Sequence, residues 1–162
     1  MVVARYRVNA GKGNVGKSGE EYSIAHNVGE TGPSWSKSWT DFLGRSYKSE
    51  MPGANSTNLT SQQYYNAKNQ VCKSSRTGQP DTLMEYDELG AIVRSGLDID
   101  GNGSLTLASM DRIVDSDTSF AKETSNWYSV STSTAYPTDG TATALPLGTS
   151  KTQLTGLDAG TV

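Results

Sequence analysis

Between Asp98 and Thr106 the chain reads Asp-Ile-Asp-Gly-Asn-Gly-Ser-Leu-Thr. Oxygen-bearing side chains stand at alternate positions, with glycines between them. A stretch of this kind must form a tight loop, and two readings of it follow from its chemistry. Alternate oxygens with intervening glycines can wrap a hard cation such as Ca²⁺. The same residue types also make a turn between two strands, which needs no metal.

The spacing resembles the calcium loop of EF-hands, and more closely the shorter loop of dockerin-type repeats. The resemblance covers about a dozen residues, 98–109. It implies Asp98, Asp100 and Asn102 as side-chain ligands at loop positions 1, 3 and 5. Gly103 falls where the sharp turn needs a glycine. Ser104 would offer its carbonyl, Leu105 would pin the loop to a core, and Thr106 would contribute through water. The ligand set implied is therefore Asp98, Asp100, Asn102, Ser104 and Thr106, holding Ca²⁺ weakly. The weakness follows from position 12, where the families carry a Glu or Asp and this chain has Ser109. Asp111 lies two residues further on, outside the pattern.

What surrounds the loop is poor in core-forming residues. Apolar side chains make up 34% of the 162 residues, and Ser and Thr about a quarter. A chain like this builds a small core at best. Three Trp and eight Tyr, with a net charge of only -3, still argue against full disorder. The expected class is α+β: loop-rich, with short helices in the first two thirds, strands at the N-terminus and in the last third, and a small core.

The patterning suggests three segments. Residues 1–80 read as a basic, loop-rich segment with short helices. Val2–Val8 alternates as a strand. Trp35, Trp39 and Phe42-Leu43 recur at i, i+4 and i+7/i+8, which suits one face of a short helix ended by Gly44. Ser61 to Val71 suits a second helix. Residues 45–80 otherwise look least regular. Residues 81–114 read as helix–loop–helix around the calcium-like loop. Its first helix carries Leu83, Met84, Leu89, Ile92 and Val93, and its second carries Leu107, Met110, Ile113 and Val114. Residues 115–162 read as a β-rich tail, with Ser125–Thr134 alternating as a strand.

No catalytic constellation emerges, so no catalytic or cofactor-binding residue is assigned and the chain is read as a non-enzyme. Gly11–Ser18 satisfies the G-x-x-x-x-G-K-[ST] string of P-loops, with Lys17 as its phosphate ligand. The context differs, because Gly19-Glu20-Glu21 stands where an apolar helix should begin. Nucleotide binding there is the third-ranked reading, behind a flexible basic glycine loop. His26 is the only histidine, in a polar stretch with no nucleophile pattern beside it, and reads as solvent-facing. Cys72 stands alone, so no internal disulfide forms. No apolar run is long enough to span a membrane. Arg5 and Arg7 interrupt the only apolar start, so no signal peptide is read and synthesis in the cytoplasm is expected. Leu154-Thr155-Gly156-Leu157, with Gly160-Thr161, resembles a corner of fibronectin type III domains, though the inward tyrosine that follows in that family is missing here.

Charge is divided along the chain. Residues 1–80 hold 10 basic against 5 acidic side chains, and residues 81–162 hold 4 against 12. That split suits head-to-tail packing between copies, or a basic face against an acidic neighbour, and equally two solvated surfaces with no partner. In texture the chain resembles phage structural proteins. The leading expectation is a structural or interaction subunit of a larger assembly: a virion capsid cement or tail protein, or part of a surface assembly, localised to a virion or an extracellular assembly. Its partners would be other protein subunits in a homo- or hetero-oligomer, not nucleic acid. The second expectation is a calcium-dependent, dockerin-like binding module.

Overall fold

The computed structural model describes residues 2–7, 21–26, 35–41, 43–137, 140 and 142–155. They form an all-β protein, which corrects the expected α+β class. The strands are β1 (Val2–Arg7), β2 (Glu21–His26), β3 (Trp35–Thr40), β4 (Ser46–Pro52), β5 (Asn58–Tyr65), β6 (Val71–Arg76), β7 (Gln79–Tyr86), β8 (Ile92–Asp98), β9 (Arg112–Glu123), β10 (Asn126–Tyr136) and β11 (Leu145–Gln153). Among the described residues the only helical element is a three-residue 3₁₀ turn, Ala54–Ser56. Two compact units divide the chain at residues 81 and 82, inside β7.

In the first unit β1 to β6 follow one another as an antiparallel meander. Period-two patterning explains the strands. On β3, Trp35, Lys37 and Trp39 alternate with Ser36, Ser38 and Thr40. Register extends each set across the sheet. Trp39 lies opposite Lys48, Lys48 opposite Gln62, and Gln62 opposite Ser75. The other face carries the row Ser38, Ser49, Ser61 and Arg76. The first face is aromatic and basic. The Lys37 and Lys48 ammoniums lie 4.6 and 4.5 Å from the Trp39 ring centre, and Lys73 lies 5.5 Å from Tyr64. Lys48 also pairs with Glu50 at 2.7 Å, and Lys73 pairs with Asp81. From β3 to β6, no residue whose burial is described is buried.

Three hairpins reuse one turn. Asp41 N donates to Arg45 O at 2.9 Å, Asn66 N to Gln70 O at 2.9 Å, and Asp87 N to Ala91 O at 2.9 Å. In each, the Asp or Asn side chain accepts the amide four residues on. The fourth residue of each turn is left-handed: Gly44, Asn69 and Gly90. Gly and Asn tolerate that conformation, which fixes the turn and with it the strand register. Arg45 joins two of the turns. Its Nη1 donates to Asn69 Oδ1 at 2.8 Å, and its guanidinium lies 4.1 Å from the Tyr65 ring centre.

In the second unit β8, β9, β10 and β11 pair antiparallel. Among the described residues its core is three side chains, Leu83, Leu105 and Ile113, with Leu107 and Tyr136 packed against them. Ile113 lies opposite Gly96 on one side and Tyr136 on the other. The loop after β8 folds over this face and delivers Leu105. Burial of each such side chain contributes roughly 1.5–3 kcal/mol. Helices expected over 82–93 and 107–114 are absent; β7 and β8 occupy the first range, and a turn leading into β9 the second. The expected helices at 35–43 and 61–71 are likewise strands and turns. Residues 45–80, expected to be the least regular, hold all of β4, β5 and β6 and the start of β7. The strands expected at the N-terminus and over 125–134 are present as β1 and β10.

Candidate metal centre

The loop of residues 99–111 starts from the last residue of β8 and ends one residue before β9. Gly101 and Gly103 take positive φ, 71° and 82°, so the backbone reverses within a few residues. That reversal aims amides inward. Asp98 Oδ1 accepts Asn102 N at 3.1 Å, and Asp98 Oδ2 accepts Gly103 N at 2.9 Å. Asn102 N is shared with Asp100 Oδ1 at 3.1 Å, and Asn102 Nδ2 donates to Asp100 Oδ2 at 3.0 Å. Asn102 Oδ1 accepts Ser104 N at 2.8 Å.

Asp111 closes the loop from its far end. Its Oδ1 accepts Ile99 N and its Oδ2 accepts Thr106 N, both at 2.9 Å. Ser109 supports it: Ser109 Oγ donates to Thr106 O at 2.8 Å and accepts Asp111 N at 3.1 Å. Asp98 is 4% exposed and Asp111 2%. Burial pushes the Asp111 carboxyl up. The Thr106 amide, the Ser109 hydroxyl and the amides of Ile99 and Asp100 outweigh it and hold the group below the usual carboxylate range.

Asp98, Asp100 and Asp111 each offer a carboxylate oxygen within 4.8 Å of the others. Oxygens bound to one Ca²⁺ at 2.3–2.6 Å lie within about 5.2 Å of one another, so the spacing fits. The donor set fits too, being hard oxygen throughout. Each ionised carboxylate has about four lone-pair sites, so the amide bonds leave capacity for a cation. The amides also satisfy the buried carboxylates by themselves, which makes the loop a self-supporting structure.

Of the residues expected from the sequence, Asp98 and Asp100 join the cluster. Asn102 lies beside it, with its side-chain oxygen on Ser104 N. Ser104 and Thr106 use their amides to hold Asn102 and Asp111. Ser109 braces Asp111. Asp111 is the cluster member that the loop pattern missed, because a helix over 107–114 would carry it away. The turn at 107–110 brings it back. The flanking elements are strands, which corrects the expected helix–loop–helix. Gly11–Ser18 lies outside the described residues, as does the fibronectin-like corner beyond Thr155. His26 ends β2, in register with Trp35.

No protein-family model, curated protein or solved structure matches the chain.

Proposed function

We propose that this chain is a non-enzymatic structural subunit of a larger protein assembly. One observation carries the reading: among the residues of β3 to β6 and the turns between them whose burial is described, none is buried, although these strands form a regular sheet. Three or more strands need a covered apolar face, or a packed neighbour, for independent stability. In an assembly the neighbour supplies the cover, and folding is linked to association. The second unit has a small core of its own, yet Phe120 is 65% exposed, and Leu145 and Leu147 are also exposed. A capsid cement, a tail protein or a component of a surface assembly has this need for neighbours.

Light scattering with thermal unfolding over a concentration series tests the reading. The expected result is mass above one chain that rises with concentration, and a melting temperature that rises with it. A compact monomer that melts cooperatively at one temperature throughout would overturn it.

A second reading rests on the carboxylate cluster: the loop of Asp98, Asp100 and Asp111 takes Ca²⁺ and so stiffens the core around Leu105 and Ile113. Calcium titration by calorimetry, with saturable heat that disappears in Asp100→Asn, would support it; no heat at millimolar calcium would dispose of it.

A further inference from the structure

Asn102-Gly103 is the one Asn-Gly pair in the chain, and every other asparagine precedes a residue with a Cβ. Both members of the pair are exposed to water. Such a pair carries chemistry of its own. The backbone nitrogen after an asparagine can attack the side-chain carbonyl carbon and close a cyclic imide. Glycine favours the step, because no Cβ obstructs the approach and its backbone turns freely.

The folded loop engages each reacting group. Asn102 Oδ1 accepts Ser104 N at 2.8 Å, which wraps the side chain around the Gly103 peptide. Asn102 Nδ2, the nitrogen that would leave, donates to Asp100 Oδ2 at 3.0 Å. The nucleophile is held hardest. Gly103 N donates to Asp98 Oδ2 at 2.9 Å, and the other oxygen of that carboxylate accepts Asn102 N at 3.1 Å. Asp98 is only 4% exposed, so water does not compete for it. Gly103 N must give up a hydrogen bond to a charged acceptor before it can turn on Asn102 Cγ, and such bonds are among the strong ones.

We propose that Asn102-Gly103 is a self-modification site latched by Asp98: the closed loop keeps Asn102 intact, and opening the loop releases it to deamidate. The bond from Gly103 N to Asn102 Cγ forms and the bond from Cγ to Nδ2 breaks. The Gly103 amide proton leaves with Nδ2 as ammonia. Solvent water then opens the imide at either carbonyl, leaving at position 102 an aspartate or an isoaspartate; no electrons are transferred to or from the chain. Either product adds a carboxylate beside Asp98 and Asp100, and like charges oppose reclosure. The isoaspartate also changes the spacing of the two amides that Asp98 holds. The modification therefore records loop opening irreversibly and loosens Leu105 from Ile113.

Peptide mapping by mass spectrometry tests this on the full chain, held in chelator at mildly alkaline pH, with and without urea. The native wild type keeps Asn102. In urea Asn102 converts ahead of every other asparagine, and Gly103→Ala removes that lead. Asp98→Ala, shown by circular dichroism to keep its strands, converts Asn102 about tenfold faster than the native wild type, or more. Native wild type that converts as fast as the chain in urea overturns the proposal, and so does a folded Asp98→Ala variant with the wild-type rate. Where Asp98→Ala does not fold, amide hydrogen exchange of the native wild type decides. Exchange at Gly103 slower than in the unfolded chain supports the latch, and unprotected exchange there overturns it.

Discussion

Gly96 on β8 lies directly opposite Ile113 on β9, the most completely buried large side chain described. A Cβ on Gly96 would come 2.4 Å from Arg112 O, 3.1 Å from Ile113 Cα and 3.1 Å from Leu105 Cδ2. The first contact is with backbone, which cannot swing aside. Leu105 reaches Ile113 only because this position is empty. The close approach ties the loop to the sheet and so positions the carboxylate cluster.

Gly96→Ala is therefore expected to destabilise the second unit by about 1–3 kcal/mol or more, the range for an overpacked core. The check is the denaturation midpoint followed by Tyr and Trp fluorescence. An unchanged midpoint would show that the loop does not pack on Ile113 as described.

Asp98 and Asp100 separate scaffold from metal chemistry. Asp98 is buried and holds the amides of Asn102 and Gly103. Asp98→Ala should lower stability by roughly 1–3 kcal/mol with or without calcium, because the two hydrogen bonds from the Asn102 and Gly103 amides to a charged acceptor are lost. Asp100 is exposed, and its bonds are local to Asn102. If calcium binds, Asp100→Asn removes the calcium-dependent rise in melting temperature and leaves the chelated protein nearly unchanged. Equal shifts in calcium and in chelator would count against the metal reading.

Asp111 sets an acid limit. Its pKa is depressed in the folded protein, so the unfolded chain binds its proton first as pH falls. The stabilisation is complete above the unfolded carboxyl value of about 3.9 and is lost as pH drops through the lower folded value. Chelated protein should lose stability steeply below about pH 4, and Asp111→Asn should flatten that slope. A variant with the parent's pH profile would mean that Asp111 does not carry it.

Some of this architecture is legible in the residues and some is ambiguous for a physical reason. Spacings of i and i+4 place two residues on one face of a helix, and on one face of a strand as well. Trp35 and Trp39 therefore fit both, and the intervening Ser36, Ser38 and Thr40 decide for the strand. Leu107, Met110, Ile113 and Val114 match a helical period, but the first two lie in the turn and the last two on opposite faces of β9. The run Asn126–Tyr136 has Trp, Tyr, Val and Thr in alternation with Ser, and its strand can be read directly. Asp98 and Asp100 are visible through loop spacing. Asp111 is not, because its role depends on a chain reversal that local pattern does not encode. The repeated turn at Asp41, Asn66 and Asp87 is marked by an Asp or Asn followed three residues later by Gly or Asn, a signal that could have pointed to hairpins.

The central claim is that the sheet of the first unit is stable only against neighbours. Amide hydrogen exchange of the dilute chain and of its associated form tests it most directly. The account predicts fast exchange across β3 to β6 in dilute solution, slower exchange near Ile113 and Gly96, and a marked gain of protection in β3 to β6 on association. Protection in β3 to β6 of the dilute monomer equal to that around Ile113 would contradict it.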